Sequence, residues 1–207
     1  MSTRLSIEQR RAHLIEAAIG LAESKGVAAV TTRDVANAAG VSLGVVHYCF
    51  ESKDALMTEL VKALSDELRE SVESDPEVIE WSGSGVESLE SFIHLMLRAM
   101  WHNVEQTPDR QLLTYEVTTF SLRAGDAPEK VRIAREQYTF NDENVKVLLQ
   151  QAVSATSTKW MAPVEQLSRL LLSMIDGLVL RWLVDEDNET AHRQLEMFAK
   201  VLASQAN

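Results

Sequence analysis

The sequence predicts an all-α protein in which a three-helix helix-turn-helix head precedes a larger helical body, and three observations carry that expectation. Apolar residues recur at spacings of three and four along most of the 207 positions, with no strand-period segment of useful length. Residues 31–53, TTRDVANAAGVSLGVVHYCFESK, read as a helix, a three-residue turn and a second short helix. Hydrophobic residues make up 45% and charged residues 25%, a globular profile, and four prolines with eight glycines leave little room for disorder.

The first helix is expected from Ser6, where Ser6 and Gln9 fit a capping box, to about Lys25 ahead of Gly26. Ile7, Leu14, Ala18, Leu21 and Ala22 mark the face that packs behind the next two helices. Arg4, Arg10 and Arg11 near its start either reach phosphates or stay solvated on an exposed helix. The second helix starts at Thr31 or Thr32, with Asp34 close behind, because a side-chain oxygen there satisfies an orphan amide. Gly40 ends it, since glycine takes the left-handed conformation that reverses the chain. Ser42 is the expected cap of the third helix. Only Val41 lies between, so the two helices cross closely, with Val35, Val41 and Val46 as the shared seam and Ala36, Ala38 and Ala39 small enough to allow it. Counted from Thr32, the small Ala36 is fifth, the turning Gly40 ninth and the apolar Val46 fifteenth, a helix-turn-helix signature. An ordinary helical hairpin is the alternative.

Ser52 is expected to cap a long helix through Leu56, Leu60, Leu64 and Leu68, followed by an acidic run and a break at Pro76 and residues 82–85. Further helices are expected from Val86 to about residue 105, from Asp109 to a stop at Gly125, and from Pro128 to about Val153, with SATSTK as the next loop. Residues 164–184, VEQLSRLLLSMIDGLVLRWLV, are apolar around most of the circumference. A surface helix carries one apolar stripe, so a second stripe implies a further partner. With residues 189–203 this segment is the expected interface of a twofold homodimer; the alternative is that both helices are simply central to the core of one chain.

The net charge of −11 argues against indiscriminate polyanion binding. Residues 1–53 hold six basic and five acidic side chains, a net of +1, which leaves −12 on the remainder. DNA is therefore approachable by one end only. The single cysteine, Cys49, excludes an internal disulfide and reads as a small core residue in a reducing cytoplasm. The amino terminus is charged and amphipathic, unlike a secretory signal, and no window approaches the roughly 18 apolar residues of a membrane span. His94 and His102 lie eight apart rather than the about four of a helical zinc motif, and no glycine-rich phosphate loop is present. The reading is accordingly of a protein that is not an enzyme and has neither metal nor cofactor.

The order of a helix ending at Gly26, TTRDVANAAGVSLGVVHYCFESKDAL, and an all-helical body resembles the TetR family of one-component transcriptional regulators. The resemblance covers about residues 8–60; beyond it only the helical layout and MIDGLVLRWLVDEDN are similar. It implies a ligand-responsive DNA-binding regulator, a repressor released from a palindromic operator by a small molecule, working as a homodimer whose heads sit in successive major grooves. The implied domains are residues 1–52 for DNA and 53–207 for ligand binding and dimerisation. Carried over, Thr32 and Arg33 contact phosphate, Ser42, Leu43, Gly44, Val45 and His47 face the groove floor, and Tyr48 and Lys53 clamp the backbone. His47 is then the main polar reader, beside apolar contact to thymine methyl groups. The different-class alternative is a helical ligand-binding or enzymatic protein whose hairpin does not meet DNA.

A ligand pocket is expected within the body, with Phe92, Met96, Met100, Trp101, Tyr115, Glu116, Tyr138, Asp176 and Trp182 as candidate lining residues; plain core is the alternative for the aromatic and methionine positions. Asp176 stands out in an apolar helix and is expected to pair with a base such as Arg169 or Arg181 of a neighbouring subunit. Glu116 and Asp176 together would suit a cationic amphipathic effector.

Overall fold

The computed structural model describes residues 6–70, 81–123 and 128–207. Among them the chain forms nine helices and one 3₁₀ turn: α1 (Ile7–Lys25), the turn Val27–Ala29, α2 (Thr32–Ala38), α3 (Leu43–Cys49), α4 (Lys53–Glu70), α5 (Val86–Gln106), α6 (Pro108–Leu122), α7 (Pro128–Thr156), α8 (Val164–Asp185) and α9 (Asn188–Ala203). The only extended pairing among these residues is an isolated bridge between Trp160 and Ala206. Arg4, Pro76 and Gly125 fall outside the described residues.

Chain contacts divide the protein into two compact units, Met1–Ser74 with Leu112–Gln137, and Asp75–Gln111 with Tyr138–Asn207. The division falls inside α6 and α7, so each of those helices contributes to both.

In the first unit one apolar core joins Leu14, Ala18 and Ala22 of α1 to Val35 and Ala36 of α2, Val46 and Cys49 of α3, and Leu56, Leu60 and Leu64 of α4. Leu113 and Val117 of α6 and Ile133 of α7 are part of the same core. Full burial of residues such as Leu14, Val35, Val46 and Leu60 holds the short helices, since a seven-residue helix has little stability of its own. Cys49 is 4% exposed and belongs to this core, as expected.

In the second unit α5 and α8 pack on α9. Leu89, Phe92, Ile93, Leu97 and Trp101 of α5 and Ala191, Leu195, Ala199 and Leu202 of α9 are buried in this packing. The segment after α7 is tied to the residues after α9 by backbone bonds from Lys159 to Asn207 (2.9 Å) and from Met161 to Gln205 (2.8 Å). Two sequence expectations shift here. Helix α7 runs three residues past Val153, because the buried Thr156 hydroxyl donates to the Ala152 carbonyl and Ser157, with φ 56°, takes the turn. Asp176 accepts from Tyr138 on α7 at 3.1 Å, whereas Arg181 pairs with Asp185 and Arg169 lies 3.8 Å from Asp142, all within one chain.

Candidate nucleic-acid interface and ligand-side residues

The start of α2 is built from three side chains. Thr31 Oγ1 accepts from the Asp34 amide at 3.2 Å and donates to Asp34 Oδ2 at 2.6 Å, and Lys25 at the end of α1 donates to the same oxygen at 2.6 Å. Lys25 first, then Thr31, hold the Asp34 carboxyl below the ordinary carboxylate range. Thr31 is thus the cap, and Thr32 and Arg33 occupy the first turn, Arg33 with an exposed side chain.

The turn follows from Gly40, whose φ of +65° is left-handed. Nothing lies within 4 Å of a Cβ placed there, so the requirement is conformational and not one of space. The Val41 amide then bonds the Ala36 carbonyl at 3.0 Å, closing α2 onto the turn. Ser42 holds the cap position of α3 without a side-chain hydrogen bond, which corrects the expectation of a hydroxyl cap; the Val45 amide bonds its backbone carbonyl instead, at 2.9 Å.

Helix α3 has two distinct faces. Val46 and Cys49, with Phe50 after them, are buried, while Ser42, Leu43, Gly44, His47 and Tyr48 are exposed and Val45 is half-buried. Tyr48 is 68% exposed, an unusual position for a phenol ring with nothing to cover it in one chain. Lys53 opens α4 with an exposed side chain, next to a working cap in which Ser52 Oγ accepts from the Ala55 amide at 3.0 Å. The structure therefore brings the whole predicted set, from Thr32 and Arg33 through His47 and Tyr48 to Lys53, onto one helix-turn-helix and its flanks.

Arg11 is not part of that outward set. Its guanidinium lies 4.6 Å over the Phe50 ring, donates to the Cys49 carbonyl at 2.8 Å and sits 3.5 Å from Glu59. It closes the carboxyl end of α3 against α1 and α4, a tertiary role that neither reading from the sequence, phosphate contact or solvated side chain, included. His13, which sequence reading passed over, holds the other end of the turn with Nε2 at 3.1 Å from the Ala39 carbonyl.

The nine candidate ligand residues fall into several places. Trp101 and Trp182 meet edge to face at 5.6 Å between α5 and α8, both buried, and Trp182 Nε1 donates to Asn188 Oδ1 at 2.5 Å. Trp101 Nε1 is buried with no hydrogen-bond partner among the described residues, and one turn along α5 Glu105 stands 3.1 Å from His192 Nε2 on α9. Phe92 packs edge-on to Trp81 at 5.2 Å, and Met96 and Met100 are half-buried on the same helix. Tyr138 and Asp176 form the pair already described; burial, then the Asp176 carboxylate, push the phenol up to about 12. Tyr115 and Glu116 belong to the first unit. There the Glu116 carboxylate accepts from the Val27 amide at 2.8 Å, a partner 89 residues earlier that no sequence spacing indicates.

Among the described residues no cluster of three or more His, Cys, Asp or Glu side chains could hold a metal ion, and no helix is long and apolar enough to cross a membrane.

Comparison with known proteins agrees with this geometry. Residues 14–60 match the family described as bacterial regulatory proteins, tetR family. The HTH-type nicotine-responsive transcriptional repressor HdnoR of Paenarthrobacter nicotinovorans is 28% identical over 93% of this chain and 92% of its own length. The HTH-type transcriptional regulator TtgR of Pseudomonas putida is 27% identical over 90% of this chain and 86% of its own. Among solved structures, a TetR transcription regulator from Haloarcula marismortui has the same fold, with a TM-score of 0.66 at 19% identity over 94% of this chain and 98% of that one. The multidrug binding protein EbrR complexed with proflavin is 25% identical, with a TM-score of 0.60 over 91% of this chain and 99% of that one.

Proposed function

We propose that this chain, a ligand-responsive DNA-binding transcriptional regulator of the TetR family, is a repressor that binds a palindromic operator as a homodimer and is released by a small molecule. The observation that carries the reading is the division of α3: its inner residues Val46, Cys49 and Phe50 are sealed in a core while Ser42, Leu43, Gly44, His47 and Tyr48 are left bare behind a capped α2. Thr32 and Arg33 would take one phosphate flank, Tyr48 and Lys53 the other, and His47 would read a base edge beside apolar contacts from Leu43 and Val45. Residues 1–52 would serve DNA and 53–207 effector binding and dimerisation.

Dimerisation is supported by apolar side chains that one chain leaves uncovered. On α8, Leu170, Leu180 and Val184 are exposed, Val184 at 80%, and on α9 Met197 at 62% and Val201 at 43%. Gly177 lies on the exposed side of α8 with nothing within 4 Å of a Cβ. A mid-helix glycine costs about 1 kcal/mol relative to alanine, and a close helix crossing at this face would account for it.

For the effector we propose a flat nitrogenous aromatic compound carrying positive charge. HdnoR, named nicotine-responsive, and EbrR, solved in complex with proflavin, support this class, and the second unit offers Phe92, Met96, Met100, Trp101 and Trp182 as apolar groups with Tyr138 and Asp176 as polar ones. The test is binding of the purified protein to DNA upstream of its own gene at low and rising salt. A specific near-palindromic site with half-sites about one turn or more apart, and affinity falling steeply with salt, is the expected result. Lack of specific binding at low salt would overturn the proposal.

A further inference from the structure

We infer that Glu116 is a positioning residue for operator binding, fixing the α1–α2 junction, and through it the reading head, to the register of α6. The inference rests on the operator-binding role proposed above.

Both carboxylate oxygens lie over one peptide unit. Oε2 accepts from the Val27 amide at 2.8 Å, and a Cβ placed on Gly26 would lie 2.9 Å from Oε1 and 3.0 Å from Oε2. Gly26 has φ 82° and ψ 152°, a conformation open to glycine alone, so the residue there meets two demands, one of backbone and one of space. The 3₁₀ turn that begins at Val27 has no side-chain cap from its own sequence, and the Glu116 carboxylate satisfies its leading amide from outside.

The position of this bond gives it a role beyond stability. Four residues after Val27 comes Thr31, the cap of α2, followed by Thr32 and Arg33. Leu113 and Val117, on either side of Glu116, place α6 in this core through apolar contacts. Apolar contacts are non-directional and tolerate sliding, whereas a charge-assisted hydrogen bond at 2.8 Å specifies one register. A crevice of about 520 Å³, lined by Val27, Ala28, Asp54, Glu116, Phe120 and Arg123, leaves the junction room to shift once the bond is broken.

The experiment compares the full chain with Glu116→Gln and Glu116→Ala. Amide exchange at Val27 reads the clamp without DNA, and affinity for the operator and for versions with half-site spacing changed by one base pair reads its function. Glutamine keeps a carbonyl acceptor; alanine keeps none. The expected result is Val27 exchange faster by about tenfold in the alanine variant, the factor that about 1.4 kcal/mol represents, and little changed in the glutamine variant. With it, the preference for the native spacing falls severalfold in the alanine variant and is largely kept by glutamine. Unchanged exchange at Val27, or equal loss of affinity at every spacing, would overturn the inference. An alanine variant that fails to fold leaves the glutamine variant, whose loss of spacing preference with its Val27 protection intact would overturn it too. If the unaltered protein binds no operator, the operator-binding reading has failed, and Val27 exchange still reports on the clamp alone.

Discussion

Replacing Arg11 with alanine separates a structural latch from a DNA contact. Three interactions end with the guanidinium. Its stacking on Phe50, at 4.6 Å in a partly exposed setting, contributes about 0.5–1 kcal/mol. The bond to the Cys49 carbonyl at 2.8 Å has a charged donor and contributes about 1.5–3 kcal/mol. The contact with Glu59 is 3.5 Å long between side chains that are 39% and 48% exposed, so screening holds it to under about 1 kcal/mol. A loss of about 2–4 kcal/mol is expected, read as a lower midpoint in urea unfolding. Arg11→Lys recovers only part of it, because an ammonium keeps the charge but not the stacked plane. The second measurement is the salt dependence of operator binding by the folded variant. Removing one phosphate contact from each head would make the slope shallower by about 2 per dimer, and the latch reading expects no such change. Full stability together with a shallower slope would refute it and restore Arg11 to the DNA surface.

Thr31→Ala removes a cap and one of the two groups on Asp34, costing about 1 kcal/mol by urea unfolding. In the same variant the Asp34 carboxyl moves back toward its ordinary value of 3.8, checked by NMR titration; a group held low in the folded state stabilises above its unfolded pKa and ceases to as pH falls through the folded value. Tyr138 ionises near 12 by ultraviolet titration. Its raised pKa stabilises the fold below pH 10, and that contribution is lost as pH rises from 10 to about 12; in Asp176→Asn the ionisation moves downward. If α8 and α9 form the proposed dimer interface, Val184→Glu with Met197→Glu on their exposed apolar faces yields a monomer in sedimentation and weakens operator binding while leaving helix content unchanged; a species of unaltered mass would refute that interface.

What the sequence displayed was local. The Ser6–Gln9 box, the Thr31 cap and the left-handed Gly40 act within a few residues, and each is found where its residue types require. The exposed and buried faces of α3 were legible for the same reason, since helical period assigns them. Partners far along the chain were not. Arg11 finds Phe50 and Cys49 about 40 residues on, Asp176 finds Tyr138 38 residues back, and Glu116 finds Val27 89 residues back. A charged side chain on a helix reads as solvated or functional until tertiary structure supplies its partner, and here that partner was another part of the same unit each time. The turn after α7 was misplaced because a threonine hydroxyl bonding its own helix carbonyl counts as a loop former by composition.

The charges left free on the head constrain how it must work. Among the described bases of the head, Lys25 is engaged by Asp34 and Arg11 by Phe50, Cys49 and Glu59, while Arg33 and Lys53 are the exposed cations that flank the reading helix. In the proposed dimer these two flanking cations per head would neutralise about four phosphate charges and contribute about −4 to the salt slope, against an acidic remainder of the chain at −12. Attraction on that scale would not hold a single head on DNA at physiological ionic strength, and the proposed reading face has His47 as its main polar reader. In the dimer proposed above, affinity would then come from both heads binding together, which would make it a steep function of the distance between them. A regulator built this way needs no large rearrangement to release its operator. On the proposed role of Glu116, a shift in register at one junction, the peptide held between Gly26 and Glu116, would move a head out of step with its groove.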